Sequence, residues 1–141
     1  MPSLRRRTAV PAEDDNTRIV SYGQAHPDSS AGAWHGPAVG FVVAFTTDLE
    51  AHRSDLERLV LDPDRLQVVW VRYTYRQLEQ VMDEIAPLVR DRAITAYGPE
   101  PRTNTVRVRV LAEHVEGVRA RLERLYGDRV SVVEGGRFGW V

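Results

Sequence analysis

A histidine with carboxylates on both sides is the first feature of this sequence that could do chemistry. His52 lies three residues after Leu49 and four before Leu56, so helical spacing places it on the apolar side of a helix. Asp48 precedes it by about one turn, and Asp55 follows it by nearly one turn. Such a set could orient a general base or hold a metal ion. A metal site needs a third ligand, and no residue supplies one at a recognisable spacing, so we interpret His52 as a partly buried structural histidine.

Nucleophilic and carboxylate catalysis find little support elsewhere in the chain. Ser29 and Ser30 fall in a polar leader, and the sequence contains no Gly-x-Ser-x-Gly nucleophile elbow. The pairs Asp83-Glu84 and Asp62-Asp64 fall on a helix face and in a turn, where acidic side chains are usually solvated. We therefore expect a non-enzymatic protein with no catalytic residues, no bound metal and no cofactor.

Two arginines alternate with valines in a predicted strand, from Thr105 to Val110. The alternation places Arg107 and Arg109 on one face of the strand and the valines on the other. A solvated sheet face would account for this pattern. The functional alternative is a pairing or docking surface for an acidic partner, which would act through contacts at the sheet edge and be extended by Arg129 if the last strand lies alongside. The carboxyl-terminal tail completes the predicted partner-binding set with Arg137, Phe138 and Trp140.

Composition excludes more chemistry than these motifs suggest. The 141 residues are 43% hydrophobic and 28% charged, with 20 acidic side chains against 19 basic ones, which is typical of a globular protein. All basic side chains except the histidines are arginine, and cysteine is absent. This rules out P-loop and Schiff-base lysines, thiol nucleophiles and cysteine zinc sites. A net charge of -1 argues against nucleic-acid binding, and no apolar run is long enough for a membrane span.

The amino-terminal region bears on localisation. Met1 to Arg7 carry the positive charge of a secretory signal, but Pro11 and three acidic residues stand where an apolar stretch should follow. As written, the sequence predicts a cytoplasmic protein, whereas an upstream leader absent from it would make the protein secreted. Residues 1–30 are rich in Pro, Asp, Ser and Arg, so we predict a mostly disordered leader.

Patterning after Gly40 predicts alternating strands and helices. Phe41 to Phe45 are apolar on both faces, which is typical of a central buried strand. Two capping-box patterns, starting at Thr47 and Thr74, each predict a helix start. Pro87 should end the second of these helices near Ala86. The remaining predicted elements are strands at Leu66 to Tyr73, Ile94 to Tyr97, Thr105 to Val110 and Arg129 to Val133, and a helix from Val115 closed by Gly127.

The two halves of the chain resemble each other. Ala33 to Pro37 matches Ala96 to Pro99, Leu56 to Val60 matches Leu122 to Tyr126, and Leu66 to Val69 matches Val130 to Val133. The order of elements repeats as well, which indicates an internal duplication; convergence of two helices on a Leu-Glu-Arg-Leu pattern is the alternative. We predict an α+β fold with antiparallel sheet pairing. Its two strand-strand-helix-strand units, residues 31–73 and 93–135, are joined by a connecting helix at 74–92 and followed by a tail at 136–141.

Several of these segments carry a family resemblance. The segments are the strand-to-helix junction from Phe41 to Asp48, the stretch from Val71 to Tyr75, the strand from Thr103 to Val108 and the ending from Tyr126 to Gly135. This pattern resembles the pro-regions of secreted bacterial serine proteases of the alpha-lytic protease and streptogrisin type. The resemblance implies a folding assistant or inhibitor whose carboxyl-terminal sheet pairs with a protease hairpin and whose tail occupies the active site. The expected partner is then a protein, possibly a serine protease encoded separately.

A second hypothesis belongs to a different functional class. A small ligand-binding or enzymatic domain could use a cleft between the two units. Aromatic side chains would line that cleft, although aromatics in such strands more often belong to the core. The cleft residues under this alternative are Trp34, Trp70, Tyr73 and Tyr97.

Overall fold

Each half of the chain contains a helix, two strands, a second helix and a third strand. The first half has α1 (Asp15–Ala25), β1 (Ser30–Gly36), β2 (Gly40–Phe45), α2 (Leu49–Leu59) and β3 (Leu66–Trp70). The second half has α3 (Tyr75–Ile85), β4 (Ile94–Glu100), β5 (Thr105–Val110), α4 (Val115–Tyr126) and β6 (Val130–Glu134). The computed structural model describes residues 14–36, 40–91 and 93–135. The predicted α+β class is confirmed.

The strands form two three-stranded mixed sheets, ordered β1-β2-β3 and β4-β5-β6. In each sheet the first two strands pair antiparallel, as predicted, whereas the third strand runs parallel to the middle one. The prediction of antiparallel pairing is therefore wrong for β3 and β6. Because a helix carries the chain back along the sheet between the second and third strands, the third strand starts from the same end as the second.

Each unit has its own apolar core, and contacts divide the chain between Trp70 and Val71. α3, predicted as a connecting helix, buries Leu78, Val81 and Ile85 in the core of the second unit. Sheet residues of that core include Val106, Val108 and Val110 of β5. The first core contains six buried side chains among the described residues, Ile19, Val43, Phe45, Leu56, Val60 and Val68.

The predicted disordered leader is wrong for residues 15–25, which form α1. The Asp14 side chain accepts a hydrogen bond from Thr17 N at 2.8 Å and so caps the helix. Asp15 accepts from Leu61 N at 2.8 Å and from Asp62 N at 3.2 Å. Ile19 is only 3% exposed and packs in the first core. These contacts provide the burial that the leader's composition did not suggest, while residues 1–13 lie outside the described residues.

Helix ends follow the local chemistry of the sequence at α3 and α4 but not at the start of α2. The predicted capping box at Thr47 is wrong, because Asp48 is the N-cap of α2, with φ 55° and no side-chain cap hydrogen bond. Thr74 and Gln77 form the predicted capping box at the start of α3, and the helix ends at Ile85, before Pro87. Gly127, with φ 60°, follows the last residue of α4 in a conformation that favours glycine. On α4, Tyr126 is buried, whereas the adjacent Leu125 is 56% exposed.

The two units match closely in register. The β1-β2 pair and the β4-β5 pair both contain an irregularity near the start of the first strand. Val43 pairs with Val68, and Val108 pairs with Val132, in the same position of each parallel pair. Ala33 lies opposite Val43, and Tyr97 lies opposite Val108, so Ala33 and Tyr97 are equivalent. The sequence match of Ala33 with Ala96 implies that Trp34 is equivalent to Tyr97, which is wrong by one residue. A shift of one residue moves a side chain to the other face of the sheet, so Trp34 and Tyr97 lie on different faces.

Both units also repeat one arginine contact. Arg53 of α2 pairs with Glu50, and its Nη2 donates to Val68 O of β3 at 3.3 Å. In the second unit, Arg119 of α4 pairs with Glu116 at 2.6 Å, and its Nη2 donates to Val132 O of β6 at 2.9 Å. The shared pattern aligns α2 with α4 residue by residue, so that Leu56 is equivalent to Leu122, buried in each core.

Within the described ranges, no helix combines the length and the apolar character needed to cross a membrane.

Candidate functional site

The arginines of β5 lie on the sheet face opposite the core of the second unit. The β5 valines are fully buried under α3 and α4, and alternation directs Arg107 and Arg109 to the other face, as predicted. Arg109 is exposed, while Arg107 is partly buried and lies 3.9 Å from Glu100. The Arg107 Nε has no hydrogen-bond partner in the described chain. We call this surface, defined by Arg107 and Arg109, the arginine face.

Small residues surround the arginine face. Arg109 pairs with Ala96 of β4 and with Val133 of β6, and Arg107 pairs with Gly98 and Ser131. Gly135 passes beside Arg109 so closely that a Cβ at Gly135 would lie 2.6 Å from the Arg109 Cβ. Three of these four paired residues, Ala96, Gly98 and Ser131, have short side chains, and the fourth is Val133.

Not every predicted partner-binding residue extends the arginine face. Arg129 precedes β6, and its Nε donates to Tyr126 O at 3.0 Å, with the guanidinium 5.7 Å from the Tyr126 ring centre. Arg129 is therefore engaged with the end of α4. The other three predicted residues, Arg137, Phe138 and Trp140, lie outside the described residues.

The outer edge of β4 offers few hydrogen-bonding groups to an added strand. Gly135 N donates to Val110 O at 2.8 Å, so the backbone N–H and C=O groups of Val110 face β6. Because this direction alternates along a strand, the backbone groups of Arg107 and Arg109 face β4. Their partners on β4, Ala96 and Gly98, point inward. The backbone groups of Tyr97 and Pro99 therefore face the open edge, and Pro99 has no N–H to donate.

The outer edge of β6 is partly occupied. The backbone groups of Gly135 face β5. Alternation along the strand directs the backbone groups of Ser131 and Val133 to β5 as well, and those of Val132 to the open edge. The outward Val132 carbonyl accepts from Arg119 at 2.9 Å. An added strand would have to displace this guanidinium, which is a common way of protecting a sheet edge.

A chain of hydrogen bonds joins four polar side chains in the first unit. The Ser29 Oγ lies 2.9 Å from the His52 Nε2, and the His52 Nδ1 lies 2.7 Å from the Tyr22 hydroxyl. The Tyr22 hydroxyl in turn donates to the Asp55 Oδ2 at 2.9 Å. We call this set, Ser29, His52, Tyr22 and Asp55, the relay.

Counting protons fixes the direction of the relay. An ionised carboxylate only accepts hydrogen bonds, so the single Tyr22 hydroxyl proton goes to Asp55. The Tyr22 oxygen therefore accepts from the His52 Nδ1–H, which leaves Nε2 as an acceptor on a neutral imidazole and makes Ser29 the donor. Burial raises the pKa of Tyr22 to about 12, and the hydrogen bond to Asp55 adds to this increase. Burial lowers the pKa of His52, with the nearby His26 as a second cause, so the neutral form predominates at neutral pH.

Aromatic rings hold the His52 imidazole in place. The ring stacks on Phe45 with centres 4.0 Å apart and meets His26 and Tyr22 edge to face at 5.3 and 5.7 Å. His52 is 6% exposed, which agrees with its interpretation as a buried and hydrogen-bonded histidine. The arrangement could also transfer a proton from Ser29, because the imidazole accepts at Nε2 and is oriented at Nδ1.

Sequence reasoning placed Ser29 in a disordered leader and so missed the relay. The signal that could have found it is a helix start at Asp14, followed by Ile19 and Tyr22 at a spacing of three residues. A helix over these residues would have placed Tyr22 on the same face as a buried isoleucine. The contact between Ser29 and His52 joins residues 23 positions apart, and no local pattern encodes it.

The four aromatic residues of the alternative hypothesis have separate environments. Trp34 is partly buried on β1, and Trp70 is 60% exposed at the end of β3. Tyr73 packs against the second core, and its hydroxyl donates to Asp128, which lowers the pKa of that carboxyl. Tyr97 lies on β4. Packing of this kind accounts for Tyr73, and a shared ligand cleft stays a prediction.

The described residues contain no group of three or more His, Cys, Asp or Glu side chains placed to hold a metal ion.

Comparison with known proteins finds neither a protein-family model that matches the chain nor a match among the curated proteins. The resemblance to protease pro-regions therefore depends on sequence segments alone, and the arginine face and the relay are the structural features that bear on function.

Proposed function

We propose that this chain is a non-enzymatic protein-interaction module, similar in role to a serine-protease pro-region, that binds an acidic surface of a partner protein. The supporting observation is the arginine face, where the exposed Arg109 and the partly buried Arg107 lie among alanine, glycine, serine and valine neighbours. Guanidinium groups suit carboxylate recognition because their planar donors can bind both carboxylate oxygens.

The charge state of the face favours an acidic partner. Among the described residues, Arg107 lies 3.9 Å from one acidic side chain, Glu100. That separation is near the limit of an ion pair, and exposed pairs of this kind contribute little. A partner carboxylate would therefore gain charge-assisted hydrogen bonds without breaking a strong internal pair.

The geometry supports contact through the face more than strand addition at an edge. At β4, Pro99 removes an outward donor, and at β6 the Arg119 guanidinium occupies an outward carbonyl. The expected sheet-edge contacts would require displacement of Arg119 at the β6 edge. Contact through the face requires no such rearrangement.

Binding to a chymotrypsin-like bacterial serine protease tests this proposal. The variant Arg107→Glu with Arg109→Glu reverses the charge of the face, and inhibition titration would give its affinity. We expect at least tenfold weaker binding, because opposed charges at an interface become like charges. The matched control is Arg121→Glu with Arg124→Glu, which makes the same charge change at exposed positions of α4. Equal weakening in both variants would point to overall charge and would contradict the proposal.

Arg119→Ala distinguishes the face from the edge. If the partner binds the face, this substitution should leave affinity unchanged. If the partner adds a strand to β6, removing the guanidinium should tighten binding, while the equivalent Arg53→Ala in the first unit should not. Tightening in Arg119→Ala alone would therefore overturn the face contact, and absence of binding by the unaltered chain would reject a protease partner.

A further inference from the structure

The second unit shows that the fold does not require the relay. Ser29 O accepts from Thr46 N at 2.9 Å, and Ala93 O accepts from Leu111 N at 2.9 Å at the corresponding place in the second unit. Ala93 is thus the equivalent of Ser29. The arginine contacts that align α2 with α4 make Val118 the equivalent of His52. Both Ala93 and Val118 pack against the second core.

The comparison gives the polar residues a meaning beyond packing. The same backbone arrangement folds with alanine and valine in one unit and with serine and histidine in the other. Burying a hydroxyl and an imidazole costs free energy that hydrogen bonding only offsets. In the relay each side chain donates a hydrogen bond to the next, from Ser29 to Asp55. This retained polar arrangement points to a use for the Ser29 hydroxyl.

We propose that Ser29 is a nucleophile, activated by His52, that accepts an acyl group from small activated esters. The Ser29 Oγ attacks the ester carbonyl carbon while its proton passes to the His52 Nε2 at 2.9 Å. The carbonyl–oxygen bond of the leaving group then breaks, and the phenol or alcohol departs with that proton. The product is an ester of Ser29, and the imidazole returns to its neutral form.

Tyr22 and Asp55 are positioning residues in this reaction. The Tyr22 oxygen accepts from the His52 Nδ1–H at 2.7 Å, which directs the Nε2 lone pair to Ser29. When Nε2 takes the proton, the cation is stabilised by Tyr22 and, behind it, by the Asp55 carboxylate at 2.9 Å from the Tyr22 hydroxyl. The stack on Phe45 keeps the ring in this orientation.

Small size is the main requirement for the acyl donor. Ser29 is 8% exposed and lies in the turn between α1 and β1, with its N–H bonded to His26 O. A large substrate could not reach it without opening the turn. An acetyl ester of a good leaving group is therefore the appropriate probe.

Treatment of the full chain with p-nitrophenyl acetate tests the proposal, with peptide mass analysis to locate the acetyl group. We expect a nitrophenolate burst of up to about one equivalent and acetylation at Ser29. The rate should fall at acidic pH, because protonated His52 cannot accept the serine proton. Failure to find acetyl-Ser29 in the unaltered protein, or a Ser29 rate without this pH dependence, would overturn the proposal.

Variants separate the relay from ordinary surface reactivity. Ser29→Ala and His52→Val introduce the residues of the second unit, and each should reduce the burst at least tenfold. Ser30→Ala is the matched control, because Ser30 is adjacent and equally buried but has no bond to His52, and it should retain the burst. Tyr22→Phe should shift the pH profile and slow acetylation while circular dichroism shows retained helix. An unchanged rate at Ser29 in folded His52→Val would contradict activation by the imidazole.

Discussion

Replacement of Ile19 tests whether α1 is an integral part of the first unit. Ile19 is 3% exposed and is the fully buried residue of α1. Ile19→Ala removes about three methylene equivalents, a transfer loss of about 2.4 kcal/mol at roughly 0.8 kcal/mol for each. A residual cavity usually brings such changes to about 2 to 5 kcal/mol. Because α1 can move partly into the space, we expect a loss of about 2.5 to 3.5 kcal/mol in the free energy of unfolding.

The assay must report on the first unit, because each unit has a separate core. The sequence has three tryptophans, and Trp34 and Trp70 lie in the first unit. In a Trp140→Phe background, tryptophan fluorescence during urea unfolding therefore follows that unit. The control is Val20→Ala, because Val20 adjoins Ile19 but is 46% exposed, and it should change stability by no more than about 0.5 kcal/mol. Equal effects of the two substitutions would refute the docking of α1.

Three other predictions follow from buried contacts. Burial lowers the pKa of His52 in the folded state, so below pH 6.5 the unfolded chain binds more protons than the folded chain. The free energy of unfolding should therefore decrease as the pH is lowered, until the folded-state pKa is reached. Urea midpoints measured against pH should show this loss, and His52→Val should lessen it. Leu122→Ala should cost about 2 to 5 kcal/mol by urea unfolding followed by circular dichroism, whereas Leu125→Ala should be nearly neutral, because Leu122 is 1% and Leu125 is 56% exposed. Asn104→Ala should cost about 1 to 3 kcal/mol by the same method, because the Asn104 amide bonds both Tyr73 N and Tyr73 O at 2.8 Å. Asn104 also has φ 57°, so Asn104→Gly should be less harmful than Asn104→Ala, and the reverse order would contradict the backbone argument.

Local patterns in the sequence were sufficient to predict most strands and helices. The alternation in Thr105–Val110 reflects one buried and one polar face, and the structure has the same division. The capping box at Thr74 works because its hydrogen bonds form within one turn of chain. Features of this kind depend on neighbours a few residues apart, and a single sequence contains them.

Features that depend on distant contacts were not predictable in the same way. α1 has a weak apolar stripe, and what secures it is the burial of Ile19 together with bonds from Asp15 to Leu61 and Asp62. The one-residue error at Trp34 arose because the short strand carries no strong alternation, so its register is set by pairing with β2. The arginine face could be predicted from β5 alone, whereas the relay requires two helices and a turn to meet.

Because of the repeated arginine contact, docking of a single helix in each unit both covers the apolar sheet face and blocks the edge of the third strand. In each unit the arginine that occupies the carbonyl of the third strand is carried by the helix that covers the core, Arg53 by α2 and Arg119 by α4. A folding intermediate in which that helix has not docked therefore exposes an apolar sheet face and an unblocked strand edge together. Such species are prone to aggregate. Aggregation during refolding should consequently depend on how fast these helices dock, and the yield should decrease steeply with chain concentration.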